Sequence, residues 1–253
     1  TVIVVSPGQN VQTVIDVASN GDLIRVMQGS YGNLSIVNKN LTIRKHSPTP
    51  PSFANIEVNG SVVTLIGIEA TNLKARDTAS PTKLKVVQGH YSNYIDFNAS
   101  KGDFLYCGMH RMTFRGVGNV VGCALNGNSQ GGIGLVIYGD NTSLTVRNSR
   151  IHDYKDSLTG TIDEECIGIH VDLGANADII NNLIEGCSDT DAGGGETSNT
   201  AKAILVKPGA GKVNILGNLI RDCVISNTNT QMLKAPLGTI FRNNMIVERA
   251  SGH

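Results

Sequence analysis

Leu144-Thr145-Val146-Arg147-Asn148-Ser149-Arg150-Ile151, Ile179-Ile180-Asn181-Asn182-Leu183-Ile184-Glu185-Gly186-Cys187, Ile215-Leu216-Gly217-Asn218-Leu219-Ile220-Arg221-Asp222-Cys223 and Phe241-Arg242-Asn243-Asn244-Met245-Ile246-Val247-Glu248 are variations on one phrase. Each carries an alternating apolar strand, an Asn, and a second short apolar stretch. The asparagines at 148, 182, 218 and 244 lie 34, 36 and 26 residues apart. Recurrence of this kind means one supersecondary unit stacked on copies of itself.

Working outward, the chain from about residue 56 reads as short strands. Expected strands are Asn55–Val58, Val62–Ile68, Lys83–Val87, Tyr94–Phe97, Phe104–Tyr106, Met112–Phe114, Asn119–Ala124, Gly134–Tyr138, Ser143–Arg147, Gly168–Val171, Asp178–Asn181, Ala203–Val206, Val213–Leu216 and Thr239–Arg242. Turn residues such as Asn59-Gly60, Gly139-Asp140-Asn141 and Pro208-Gly209-Ala210-Gly211 punctuate them. The start differs. Asn10 is placed to cap a helix over Val11 to Ala18 with Val11, Val14, Ile15 and Ala18 on one face. Residues 1–45 therefore read as a cap and first coil of a single solenoid over 1–253. A solenoid end exposes apolar core and unpaired backbone, which such a cap covers. After this helix no helical pattern recurs, so a βαβ fold is not expected. The last residues read as an uncapped strand of the repeat.

Composition excludes several classes. The 21 basic residues balance 21 acidic ones, so no global field attracts nucleic acid or a membrane surface. No apolar run approaches the roughly 18 residues of a membrane span. The five cysteines, 107, 123, 166, 187 and 223, show neither CxxC nor Cys/His spacing and give no zinc site. Cys187 and Cys223 hold equivalent repeat positions and read as small apolar residues stacked inward; a disulfide between them is the alternative.

Two stretches break the rhythm, 153–165 and 188–200, both acidic. Long loops on a rigid stack are where binding and catalysis reside. Aligning Ile169-His170-Val171-Asp172 with Ile204-Leu205-Val206-Lys207 points His170 and Asp172 outward and makes Asp172 and Lys207 lateral neighbours. The plain reading of that pair is a surface ion pair. The functional one is a carboxylate and a base, with His170 titrating near neutrality beside Asp163, Glu164 and Glu165.

These features resemble the right-handed parallel β-helix superfamily of pectate lyases, polysaccharide-processing epimerases and phage tailspikes. The resemblance is carried by the opening Val11-Gln12-Thr13-Val14-Ile15-Asp16 helix, by Gly21-Asp22-Leu23-Ile24-Arg25-Val26 with Gly29-Ser30-Tyr31, and by the Asn-bearing repeats. It implies an all-β fold with Asn side chains laddered at a tight turn. It also implies an extended, acidic polysaccharide as partner, in a secreted enzyme or a virion. The uncapped C-terminal strand is expected to pack on another chain, as in a homotrimer, or on further domains. No subfamily signature matches, so no catalytic residue carries over. Hydrolysis needs two carboxylates flanking the scissile bond. Elimination needs a base and a cation for the uronate carboxylate.

The expected catalytic set is Asp163, Glu164, Glu165, His170, Asp172 and Lys207. The expected substrate-binding set is Tyr91, Tyr94, Tyr106, Lys202 and Arg221, the tyrosines because sugar rings pack on aromatic faces. No cofactor is expected other than Ca2+, for which Asp189, Asp191 and Glu196 offer hard oxygen ligands. The competing function is a non-catalytic attachment module, favoured by the absence of Trp.

Overall fold

The computed structural model describes residues 1–130, 132–156, 166–189, 201–223 and 233–247. Across them 25 strands pair in one continuous parallel sheet that winds as a right-handed β-helix. Each coil turns through three faces. The first face runs Val2–Val5, Asp22–Val26, Asn40–Lys45, Val62–Ile66 and Lys83–Val87, then 101–105, 117–121, Ser143–Arg147, Asn176–Ile180, Val213–Leu216 and Ile240–Arg242. The second includes 108–109, 124–126, 150–152, Leu183–Glu185, Leu219–Arg221 and Met245–Val247. The third includes Leu34–Val37, 56–59, 72–76, 94–98, 112–114, 135–137, 169–171 and 204–206.

Alternation along each strand sends every second side chain inward, and parallel register stacks those side chains coil on coil. One such column on the first face is Ile24, Ile43, Leu65, Val86, Phe104, Val120, Val146, Ile179 and Ile215, all fully buried. In the middle coils Phe97 stacks on Phe114 with ring centroids 4.7 Å apart. In the last coil Phe241 and Ile246 are 40% and 42% exposed.

The helix spans Val11–Val17, one residue shorter than the sequence pattern suggests, because Ala18 takes extended dihedrals as its C-cap. Asn10 caps it, accepting from the N–H groups of Gln12 and Thr13. Gln12 then closes the edge of the third face. Its amide accepts from Ser35 N–H at 2.7 Å and donates to Ser35 C=O at 2.8 Å. This pairs the edge strand Leu34–Val37 in place of a neighbouring strand.

Two expected strands, Tyr94–Phe97 and Phe104–Tyr106, are parts of one strand, His90–Leu105. The chain stays extended around the corner, with a register shift between Asn98 and Lys101. Likewise Asn119–Ala124 is divided: residues 119–121 end the strand Gly108–Val121, and Gly122 turns the corner with φ 62°.

That corner, between first and second faces, holds the ladder, with Asn182, Asn218 and Asn244 as expected and one member of the expected set replaced by its neighbour. Asn148 is outside it. Asn148 occupies the left-handed position, φ 51°, as do Asn181, Gly217 and Asn243 in later coils. The rungs are the next residues: Cys107, Cys123, Ser149, Asn182, Asn218 and Asn244. The N–H of each rung through Asn218 donates to the side chain of the rung one coil later, across 16, 26, 33, 36 and 26 residues in turn. Nδ2 of Asn182, Asn218 and Asn244 reaches buried carbonyls of Val146, Ile179 and Ile215. All five cysteines are reduced and buried. Hydrogen bonding with Cys223, then burial, raises the Cys187 thiol well above its ordinary value.

Candidate functional site

The third face gathers the chemistry. Its outward positions are set by register: Tyr138 pairs with Asp172, Val136 with His170, and His170 with Leu205. Lys207 follows one coil on, its N–H donating to Val171 C=O at 2.9 Å. One coil before Tyr138, the Arg115 guanidinium sits 4.2 Å from the Tyr138 ring centroid, within cation–π range. Arg115, Tyr138, Asp172 and Lys207 thus form one outward row over four successive coils. His170 stands beside that row.

The His170 Nε2 lies 3.7 Å from Asp172 Oδ2, and the His170 side chain is 12% exposed. Asp172 also accepts from Leu173 N–H at 2.8 Å. Leu173 holds φ 50°, an uncommon conformation for a branched apolar residue, and its side chain is largely exposed. Arg115, Gly139, Asp140, Leu173, Gly174 and Gly209 line a pocket of about 540 Å3 at the edge of this row. Buried Nε of Arg115 has no hydrogen-bond partner among the described residues. Lys207 makes no ion pair among them either. Two cations therefore flank an aromatic hydroxyl, an imidazole and a carboxylate, with donor capacity to spend on an anionic ligand.

The expected sets are only partly brought together. His170, Asp172 and Lys207 share the third face as their alignment required, but the Asp172 carboxylate turns to His170 and Leu173, not to Lys207. Asp163, Glu164, Glu165, Asp191 and Glu196 lie outside the described residues, as does the side chain of Asp189. Tyr94 is on the third face, half-buried, with the Lys74 ammonium 5.8 Å from its ring centroid.

Of the expected substrate contacts, Tyr91 and Lys202 are corrected because they are buried, and Tyr106 and Arg221 lie away from the third face. Tyr91 is fully buried, because it follows the inward position of the second face. Lys202 is 5% exposed, on the strand Ala201–Val206 whose six residues are all buried, so alternation does not separate core from surface there. Tyr106 is 65% exposed but lies at the left-handed corner between first and second faces, its ring over Gly122. Arg221 belongs to the second face. There Glu185 accepts from Arg150 Nε at 2.6 Å and from Arg221 Nε at 2.7 Å. Burial raises the Glu185 carboxyl, and the hydrogen bonds from Arg221 and Arg150 overcome this and set it below the usual range. Nearby, hydrogen bonding to His152 holds Asp153 low as well. Sequence reading missed Arg115 and Tyr138. Extending the two-coil alignment around His170 back to Phe114-Arg115 and Ile137-Tyr138 would have found them.

No family model matches the chain, and no curated protein matches it. Among solved structures it superposes on the PL6 family alginate lyase AlyGC with a TM-score of 0.64 and 15% identity. It shares that enzyme's fold. The superposition covers 97% of this chain and 39% of the lyase, so the chain spans about two fifths of that protein's length. A point variant of the same lyase superposes with a TM-score of 0.62, also at 15% identity. Among the described residues no helix is long and apolar enough to cross a membrane.

Proposed function

We propose that this β-helix binds and cleaves an extended, uronate-bearing polysaccharide by elimination, outside the cell or on a virion. The observation that carries the reading is the row Arg115, Tyr138, Asp172 and Lys207 with His170 beside it. The alginate-lyase neighbour supports polysaccharide cleavage at the level of fold analogy.

Elimination begins by removing the proton on the carbon next to the uronate carboxylate. That proton is acidic only when the carboxylate charge is neutralised, the part given to Arg115 and Lys207. His170 takes the proton, and Asp172 steadies the imidazolium that forms. The electron pair left behind becomes the ring C=C bond as the glycosidic C–O bond breaks. The departing oxygen takes a proton from the Tyr138 hydroxyl. Solvent later returns Tyr138 and His170 to their starting states. Hydrolysis fits less well, because the row itself contains one carboxylate.

A polysaccharide panel read for new reducing ends and for unsaturated-uronate absorbance tests this. Both signals together are expected, and each of Arg115→Ala and His170→Ala should lower turnover at least about a hundredfold. Reducing ends without the absorbance would replace elimination by hydrolysis. Binding without either signal would favour the attachment module, a reading supported by the sheltering of His170.

A further inference from the structure

The first coils carry a second asparagine ladder, and it is built differently from the one in the core. Asn93 Nδ2 donates to Asn72 Oδ1 at 2.9 Å, Asn72 Nδ2 to Asn55 Oδ1 at 2.7 Å, and Asn55 Nδ2 to Asn33 Oδ1 at 2.7 Å. The three bonds run in one direction along the helix axis. Asn33, Asn55 and Asn93 are exposed and Asn72 is half-exposed.

The core ladder spends its amides on backbone groups. Asn218, for instance, donates to carbonyls of Ile179 and Leu216 and accepts from Asn182 N–H, besides bonding the amides of Asn182 and Asn244. The exposed amides bond one another and, among the described residues, no backbone group. An Asn amide has two N–H donors and two acceptor lone pairs. In the middle of this ladder each rung uses one of each and turns the remaining N–H and lone pair to solvent. The result is a row of donor–acceptor pairs repeating every coil, about 4.8 Å apart.

Asn33, Asn55 and Asn72 of that row form one wall of a groove of about 490 Å3, whose other wall is Ser35, Glu57 and Lys74. Gln12, bonded to the Ser35 backbone, closes its N-terminal end. Toward the C-terminal end it leads to Tyr94, on the same face as His170. Glu57 and Lys74 oppose one another in sign, so the groove has no net pull on charge. A vicinal hydroxyl pair presents one donor and one acceptor, matching each rung. The rise per sugar of an extended pyranose chain is close to the coil spacing.

We infer that the Asn33–Asn55–Asn72–Asn93 ladder is a glycan-holding subsite that grips the hydroxyl edge of an extended pyranose chain lying along the helix axis. It would hold the polymer on the same face as the Arg115–His170 cluster, which begins one coil beyond Asn93. The inference rests on the polysaccharide reading above and adds a position and a mode of recognition that do not depend on catalysis.

Affinity electrophoresis in gels cast with alginate, polygalacturonate, hyaluronan, dextran or galactomannan tests it, comparing the wild-type chain with Asn55→Ala/Asn72→Ala. Both side chains face solvent, so circular dichroism and the melting temperature should be unchanged. In a gel that retards the wild type, the double variant should bind about tenfold more weakly. Equal retardation of variant and wild type would overturn the ladder subsite and leave the polysaccharide reading standing. Failure of the wild type to bind any of these polymers would overturn both.

Discussion

Tyr91 shows how far a single side chain can depart from its chemical type. Its ring fills the core of the second face, and its hydroxyl has no hydrogen-bond partner among the described residues. Burial pushes its ionisation well above the ordinary phenol value. A hydroxyl removed from water without compensation opposes folding. Tyr91→Phe is therefore expected to be neutral or to stabilise by up to about 1–2 kcal/mol, seen as an unchanged or higher denaturant midpoint. A loss of more than about 1 kcal/mol would mean that the hydroxyl has a partner in solution. The sequence could not reveal this, because His90-Tyr91-Ser92-Asn93-Tyr94 looks polar throughout. Only the register shift between Tyr91 and Tyr94 sends one tyrosine inward and leaves the other half-exposed. By contrast, the outward turn of His170 and Asp172 was legible, since strict alternation around Ile169 and Val171 leaves them one face.

Strands and corners were legible to different degrees. Ser143–Arg147 and Val213–Leu216 match the sequence reading residue for residue, because turn signals flank them closely. His90–Leu105 was read as two pieces, because its polar corner at 98–101 looks like a loop while its backbone remains extended. The ladder was read rightly at Asn182, Asn218 and Asn244 and missed by one residue at Asn148, for a chemical reason. Asn suits both the left-handed turn position and the rung after it, and Asn181-Asn182 and Asn243-Asn244 fill both. Where the pair is Asn148-Ser149, the Ser hydroxyl is the rung. Truncations separate the two roles. Asn218→Ala removes the acceptor for buried Asn182 N–H and the donor to buried carbonyls, and should cost about 2–4 kcal/mol in chemical denaturation. Asn148→Gly keeps the backbone conformation and should stay within about 0.5 kcal/mol. Equal costs would put Asn148 back in the ladder.

For the molecule as a whole, neutral net charge hides an uneven arrangement. Asp77, Asp153 and Glu185 are held below the usual carboxylate range. For Asp77 burial opposes this, and the hydrogen bonds from Ser100 and Thr82 prevail. For Asp153 the hydrogen bond to His152 leads, and for Glu185 the two arginines prevail over burial. A carboxylate whose folded-state value lies below its unfolded value stabilises the fold above the unfolded value, about pH 4. That contribution is lost as pH falls through the folded value. The melting temperature is therefore expected to be flat from neutrality to about pH 5 and to fall below about pH 4. Glu185→Gln should give a lower plateau and a shallower acid decline, measured by calorimetry across pH. Its cost at neutrality should be about 1–2 kcal/mol, because both arginines remain half in solvent. An unaltered acid limb would show that the Glu185 cluster contributes nothing to acid sensitivity. At this scale the stack was readable from repeats alone. The row from Arg115 to Lys207 was not, because its members lie far apart in sequence and become neighbours only by register.

The core ladder also has a sense of direction. Each rung's N–H finds its acceptor on the coil that follows, never on the coil before. A chain leaving the ribosome from its N-terminus therefore presents, at every moment, one open donor at its growing corner. The next coil to be synthesised supplies the matching acceptor. The ladder is thus polar, like a crystal with one reactive face: a stack ending at any of these rungs offers a donor N–H to whatever coil is added on its C-terminal side.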